Sequence, residues 1–308
     1  MNFVKTTGSF KSVSNLADIH YAKFVPTSGD VKAVLQIAHG MAEHKERYEK
    51  FADYLCSIGV AVYVNDHLGH GESVSSKEEK GYFGDMSYLA MVEDAVKLTE
   101  IAKEDYPALP YVIFGHSMGS FVVRCFLAKY GDMVDGAIIC GTGGANPAAG
   151  IGIALTKLIG KCKGDHHRSK FVDNLAFGAY NKKFEGRTPF DWLTKDNDVV
   201  DAYIADEECG YLFTTNGFVG LFSALKQANS KECFEKTPNI PILMISGADD
   251  PVGNYGKGVK EVYDKLTSSG HKDVTLKLYP NARHEILNES DTVGTVLKDV
   301  TDFIDTIL

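Results

Sequence analysis

The stretch Tyr111-Val112-Ile113-Phe114-Gly115-His116-Ser117-Met118-Gly119-Ser120 decides the reading of this chain. Four β-formers run into Gly115-His116-Ser117-Met118-Gly119, a G-x-S-x-G pattern, and an apolar, helix-like run (Phe121, Val122, Val123, Phe126, Leu127) follows. The spacing has a physical reason. A strand that turns abruptly into a helix strains the residue at the apex, and bulky neighbours would collide. Glycines two positions to either side remove the collision. A serine at the apex stands above the end of the sheet, at a helix N-terminus whose dipole favours developing negative charge. The pattern predicts Ser117 as a nucleophile; the bland alternative is a glycine-flanked helix start on which Ser117 is a capping group.

A serine hydroxyl is a weak nucleophile at neutral pH. It needs a histidine base, and the histidine needs a carboxylate to fix its tautomer. Behind a nucleophile elbow these follow in the order serine, acid, histidine, each just after a late strand. After the β-like run Ile242–Ile245 comes Ser246-Gly247-Ala248-Asp249-Asp250-Pro251-Val252. The spacing from Gly247 and the following Pro-Val favour Asp250 as the acid; Asp249 reads as a turn or capping residue. After Val274–Leu278 comes Tyr279-Pro280-Asn281-Ala282-Arg283-His284, and His284 is the expected base. His271 precedes that run, at the opposite end of the sheet, and reads as a loop residue. An oxyanion hole needs two backbone N–H donors. Met118, directly after the serine, supplies one, and Met41 in His39-Gly40-Met41-Ala42-Glu43-His44 is the candidate for the other. His39 and Gly40 shape that loop, and neither His39 nor His44 is assigned to proton transfer.

Outward from the elbow, short apolar runs bounded by turn residues recur: Ala33–Ala38, Val60–Val64, Tyr111–Phe114, Val134–Cys140, Ile242–Ile245 and Val274–Leu278. Such runs suit strands buried on both faces. Helical periodicity lies between them, over Arg47–Ile58, Leu89–Glu104, Ser117–Lys129, Val259–Leu266 and Val293–Ile307. The alternation predicts an α/β fold with a doubly wound, mostly parallel sheet. Phe10–Ser14 and Ile19–Val25 read as an antiparallel hairpin at one edge. One stretch breaks the alternation and contains the apolar Ile151–Ile159. It predicts a division into a first core part (1–142), an inserted, mostly helical cap (143–230) and a second core part (231–308).

The bulk numbers are those of an ordinary globular chain: 308 residues, 44% hydrophobic and 24% charged. A net charge of −9 argues against nucleic acid as a partner. Six cysteines show neither metal-ligand nor redox spacing and read as reduced thiols. The N-terminus MNFVKTTGSFKSVSN lacks the apolar core of a signal peptide, and no window is long enough to span a membrane. The expected location is therefore cytoplasmic, without stable membrane insertion. His67 and His70 near Asp66 read as a glycine-rich loop rather than a metal site, and the neighbours His166 and His167 as solvated. No metal and no cofactor is expected.

His39-Gly40-Met41-Ala42-Glu43-His44, Asn65-Asp66-His67-Leu68-Gly69-His70-Gly71-Glu72-Ser73, the Ser117 elbow, Gly247-Ala248-Asp249-Asp250-Pro251-Val252 and His284-Glu285 come in the order seen in the monoacylglycerol lipase and lysophospholipase-like α/β-hydrolases of the serine aminopeptidase S33 clan. The resemblance covers about residues 30–142 and 238–308. It implies the α/β-hydrolase fold, a Ser117–Asp250–His284 triad, an oxyanion hole from the Met41 and Met118 amides, and a cap that selects substrate. One departure is visible: Leu68 stands where the family's Asp-x-Arg-Gly-His-Gly loop has arginine.

The expected function is hydrolysis of a small lipid ester, a monoacylglycerol or lysophospholipid, with Ile151, Leu155 and Phe177 of the cap lining the acyl site and the cap touching lipid surfaces transiently. The bland alternative is that the same residues are plain packing between cap and core. One alternative is an aminopeptidase, which needs a cap acid for the substrate amine; Glu185, Asp191, Asp206, Glu207 and Glu208 are available. Another is a catalytically silent binding protein, against which the intact serine, aspartate and histidine argue.

Overall fold

The computed structural model describes residues 1–308. In chain order the first half holds β1 (Phe3–Lys11), β2 (Asp18–Pro26), β3 (Ala33–Ala38), α1 (Glu49–Ser57), β4 (Val60–Asn65), α2 (Tyr88–Asp105), β5 (Tyr111–His116), α3 (Met118–Tyr130) and β6 (Gly136–Cys140). Then come α4 (Ala149–Lys163), α5 (Lys170–Phe177), α6 (Asn197–Ala205), α7 (Thr215–Ala228), α8 (Lys231–Lys236), β7 (Ile242–Gly247), α9 (Lys257–Ser268), β8 (Val274–Tyr279) and α10 (Val293–Asp305). The edge hairpin is present, but its first strand starts at Phe3 rather than Phe10, because nine residues of β1 pair in continuous register with β2.

The eight strands form one sheet in the order β1-β2-β4-β3-β5-β6-β7-β8. β1–β2 and β2–β4 are antiparallel and all other pairs are parallel. β3 through β7 are buried at every residue. That explains their unbroken apolar runs: a strand covered on both faces has no polar side to alternate with. One core lies between the sheet and α2, α3 and α9, with Val92, Phe121, Val122 and Val259 among its residues. The other lies under α1 and α10, around Phe51, Leu55, Val296 and Val300.

Strand order reverses at β3. From there the chain crosses to β4 on one side and then to β5 on the other. Parallel α/β sheets leave a crevice at such a switch point, beyond the carboxyl ends of the strands. The loop after β3 and the turn after β5 are therefore neighbours although about 75 residues separate them.

Between β6 and β7 the chain inserts α4 to α8. Four of these helices start on a side chain that accepts a backbone N–H of the first turn: Ser169, Asp196, Thr214 and Ser230. Such caps satisfy donors that a helix leaves open. α4 lies against α7, and α7 against α3, so the insertion rests on the helix that follows Ser117. The α4 segment is less uniformly buried than its apolar sequence suggests, since Ile151 and Leu158 are exposed.

Candidate active site

β5 ends at His116 and α3 begins at Met118, so Ser117 alone makes the turn. Its φ is 53° and its ψ −120°. A non-glycine residue held there costs about 1–3 kcal/mol and persists only where its surroundings enforce it. The enforcing contacts are backbone bonds: the Ser117 N–H donates to the Cys140 carbonyl at 3.0 Å, and its carbonyl accepts the Ser120 N–H at 2.9 Å. The flanking glycines are sterically required. A Cβ on Gly119 would lie 2.0 Å from the Ala38 carbonyl oxygen, and one on Gly115 2.6 Å from that of Gly119.

Asp250 follows β7 and His284 follows β8, on adjacent strands. His284 Nδ1 lies 3.0 Å from Asp250 Oδ2, and both residues are buried. Asp250 Oδ1 accepts the Val252 N–H at 2.8 Å, which fixes the carboxylate in its turn. Asp249 is exposed, and its own N–H donates to the Ala282 carbonyl. Of the two adjacent aspartates, only Asp250 reaches the imidazole. A proton held on Nδ1 by the carboxylate leaves Nε2 as the basic nitrogen. The Trp192 ring, 5.1 Å from that of His284, packs against it from the insertion. Ser117 and His284 line the same cavity.

The oxyanion-hole candidates lie at the switch point. The Met118 N–H is the first of α3 and has no acceptor within its helix. The Met41 N–H donates to no protein acceptor. Glu43 holds the loop between: its Oε1 accepts the Gly40 N–H and, at 2.9 Å, the Tyr48 hydroxyl, and lies 3.4 Å from His116 Nδ1. Arg47 donates to Glu43 Oε2 at 2.6 Å and makes a two-pronged contact with Glu285, 2.8 Å on each prong. Burial alone would raise the Glu43 carboxyl, but the His116 hydrogen bond and the Arg47 charge hold it well below the usual carboxylate range. Burial opposes ionisation of Glu285 as well, and Arg47 again outweighs it. The links from Glu43 to His116 and from Arg47 to Glu285 leave no signal in the spacing of the sequence. The i, i+4 placement of Glu43 and Arg47 is the one local signal.

His39, His67 and His70 are buried against one another, with ring centres of His39 and His67 4.3 Å apart. The His67 N–H donates to His39 Nε2 at 3.0 Å, which leaves the His39 proton on Nδ1, 2.8 Å from the Gly40 carbonyl oxygen. Burial pulls His39 well below its ordinary value, His67 to about 4 and His70 to about 3. Neutral at physiological pH, they brace the loop. The Asp66 charge on the neighbouring loop is met by Lys45, whose Nζ and N–H both donate to it at 2.7 Å. Leu68 packs with Ile19 and Ala90 instead of reaching a carboxylate.

The cavity over Ser117 measures about 940 Å³. Met41, Met118 and His284 line it together with Phe177, Leu221, Phe222 and Ile151. Leu155, one turn further along α4 from Ile151, does not line it. None of Glu185, Asp191, Asp206, Glu207 and Glu208 lines it either. Glu185 pairs with Arg283, Asp191 with the N–H and hydroxyl of Thr188, Asp206 with His44, Glu207 with Lys77 and Glu208 with Lys80. His44, Asp206 and Cys209 bring ligand-type atoms within 4.8 Å of one another, but they lie outside the cavity. His44 Nε2 and Asp206 Oδ2 already satisfy each other at 2.9 Å. No helix is long and apolar enough to cross a membrane.

Known proteins resemble this chain along nearly its whole length. The family model described as "Serine aminopeptidase, S33" matches residues 29–291. A monoacylglycerol lipase of Mycolicibacterium smegmatis is 30% identical over 311 residues, covering 98% of each chain. The monoglyceride lipase of Mus musculus is 24% identical, over 92% of this chain and 86% of its own. Among solved structures, a thermostable carboxyl esterase from Bacillus coagulans, in complex with glycerol, superposes with a TM-score of 0.92 at 33% identity and 99% coverage of both chains.

Proposed function

The chain belongs to the serine aminopeptidase S33 family of α/β-hydrolases and is an ester-hydrolysing serine hydrolase, and from that premise we propose that it cleaves monoacylglycerols with Ser117, His284 and Asp250 as its triad. The observation that carries the proposal is the single cavity in which Ser117, His284 and the two candidate oxyanion donors meet an apolar wall from the insertion. A volume of about 940 Å³ suits one acyl chain with a small head group.

In this reading Ser117 Oγ attacks the ester carbonyl while His284 Nε2 takes its proton. Asp250 holds the imidazole and stabilises the imidazolium. The Met41 and Met118 N–H groups receive the oxyanion of the tetrahedral intermediate. His284 then protonates the leaving alcohol, and water, activated by the same base, releases the fatty acid. The insertion over residues 143–230 serves as the cap, with Ile151 and Phe177 at the acyl chain. The exposed Leu158, Phe171 and Leu175 give it an apolar surface for brief contact with lipid. A cytoplasmic setting is part of the reading and is supported by six unpaired cysteines, five of them buried.

Labelling with a fluorophosphonate probe tests the nucleophile: the wild type labels and Ser117→Ala does not. Absence of labelling in the folded wild type would leave only a binding scaffold. Hydrolysis of monoacylglycerols, lysophospholipids and amino-acid anilides, measured side by side, tests the substrate. The proposal expects the monoacylglycerols to give the highest kcat/KM, and preference for the anilides would overturn it.

A further inference from the structure

The Glu43–Arg47–Glu285 network is wired to three separate segments of the site. Glu43 accepts the N–H of Gly40, the residue before Met41. Its second contact is His116, the residue before Ser117, whose Nε2 in turn lies 3.5 Å from the His284 carbonyl oxygen. Arg47 continues the chain to Glu285, the residue after His284. The side chains of Arg47, Glu43 and Glu285 are only 14%, 4% and 4% exposed. Gly40 is pressed between the Glu43 carboxylate and Ser117. A Cβ there would lie 2.7 Å from Glu43 Oε1 and 3.2 Å from the Ser117 Cβ. With its N–H held by Glu43 and its carbonyl 2.8 Å from His39 Nδ1, Gly40 is fixed on both sides, and that carbonyl shares its peptide with the Met41 N–H.

A buried carboxylate–guanidinium–carboxylate chain is a poor way to gain stability, because desolvation offsets most of the attraction. Its value lies in geometry. A planar guanidinium donates to two carboxylates in fixed directions, so it sets the distance between the segments that carry them. We infer that Glu43 and Arg47 are positioning residues for catalysis: the Arg47 guanidinium locks the oxyanion loop to the segment bearing the base, so that the Met41 N–H and the His284 imidazole are held in one frame about Ser117. The inference rests on the assignment of Ser117, His284 and Met41 proposed above.

The test uses the full-length chain with Glu43→Gln, Arg47→Met and Arg47→Lys. The readouts are kcat and KM for a p-nitrophenyl ester, the inhibition constant of an alkyl trifluoromethyl ketone, and thermal melting. The ketone forms a hemiketal oxyanion with an active serine and so reports on the oxyanion site. A displacement near 1 Å costs about 100-fold in rate, so kcat should fall about 10- to 100-fold in Glu43→Gln and Arg47→Met. KM should stay within about twofold, and ketone affinity should fall in step with kcat/KM. Arg47→Lys should recover only part of the loss, since an ammonium cannot bridge both carboxylates in the same directions. A purely structural role would lower melting temperature but leave kcat per folded molecule and ketone affinity unchanged, and that result would overturn the inference. Glu43→Gln is nearly isosteric, and it keeps the test decisive should Arg47→Met not fold. If the wild type itself fails to label with fluorophosphonate, the assignment of Ser117 falls first. If it labels and Glu43→Gln matches it in kcat and ketone affinity, only the positioning role falls.

Discussion

The two aspartates after β7 are chain neighbours with opposite surroundings. Asp250 is fully buried and bonded to His284, whereas Asp249 is exposed. Their amide variants should therefore differ widely. Asp250→Asn leaves the shape intact but presents the wrong hydrogen-bonding pattern to Nδ1, and kcat should fall about 10⁴-fold. Asp249→Asn should stay close to wild type. Steady-state hydrolysis of a short p-nitrophenyl ester measures both, and the reverse order would transfer the acid role to Asp249. Lys45 makes a related point at the scale of single residues. Where the family loop has arginine this chain has Leu68, and the Asp66 carboxylate takes its cation from the loop after β3 instead. The charge of a buried aspartate is thus met by a residue 21 positions away in sequence.

Elements are held in register by contacts too close for any side chain, as at Gly119 against the end of β3, and by buried polar pins. One such pin is Asp94 on α2, which accepts the Ser12 hydroxyl at 2.8 Å and the Val13 N–H at 2.9 Å just beyond β1. Burial raises its carboxyl from the ordinary 3.8 to about 6, against the pull of those two donors. The sign of the pH effect follows. Between these values the folded protein keeps a proton that the unfolded chain has released, so the contribution is full below the lower value and is lost as pH rises through about 6. At 1.36 kcal/mol per unit the swing is about 3 kcal/mol. Asp94→Asn should melt above wild type at pH 7.5, with the gap closing near pH 4. An equal gap at both pH values, measured by calorimetry, would show that Asp94 does not titrate in this way.

At the scale of the molecule, the insertion is bound to three segments of the site. Arg124 of α3 donates to the carbonyls of Gly143 and Ala228, gathering both ends of the insertion onto the helix behind Ser117. The Tyr203 hydroxyl and the Gly210 N–H both donate to the Ala42 carbonyl beside Met41. Arg283, next to His284, donates to the Asp191 carbonyl at 2.6 Å and pairs with Glu185. Leu158 and Phe171 are exposed on the insertion and do not line the cavity. Replacing both with serine should weaken sedimentation with phosphatidylcholine vesicles and slow hydrolysis of vesicle-borne monoacylglycerol. Hydrolysis of a dispersed short-chain ester should be unchanged. Equal loss on both substrates would mean that the two residues serve folding, not lipid contact.

The positions of Ser117, Asp250 and His284 at strand ends were legible from the sequence, because the signals are local: an apolar run, a turn and glycines at fixed offsets. The parallel sheet was legible for the same reason. The insertion showed only as a break in alternation, although its capping residues Ser169, Asp196, Thr214 and Ser230 mark helix starts that a closer reading of caps would have found. The contacts that set the site were not legible at all. Arg47 meets Glu285 across 238 residues and Glu185 meets Arg283 across 98. That none of the five insertion acids lines the cavity, and that Leu155 stops short of it, depend in the same way on how the insertion seats. By itself the sequence determined the chemistry available at each strand end, because backbone turns and burial are written in neighbouring residues. Only the tertiary structure decided which of those groups meet and what shares their cavity, because strand order and the docking of α4 to α8 on α3 bring together residues whose separation along the chain carries no record of the contact.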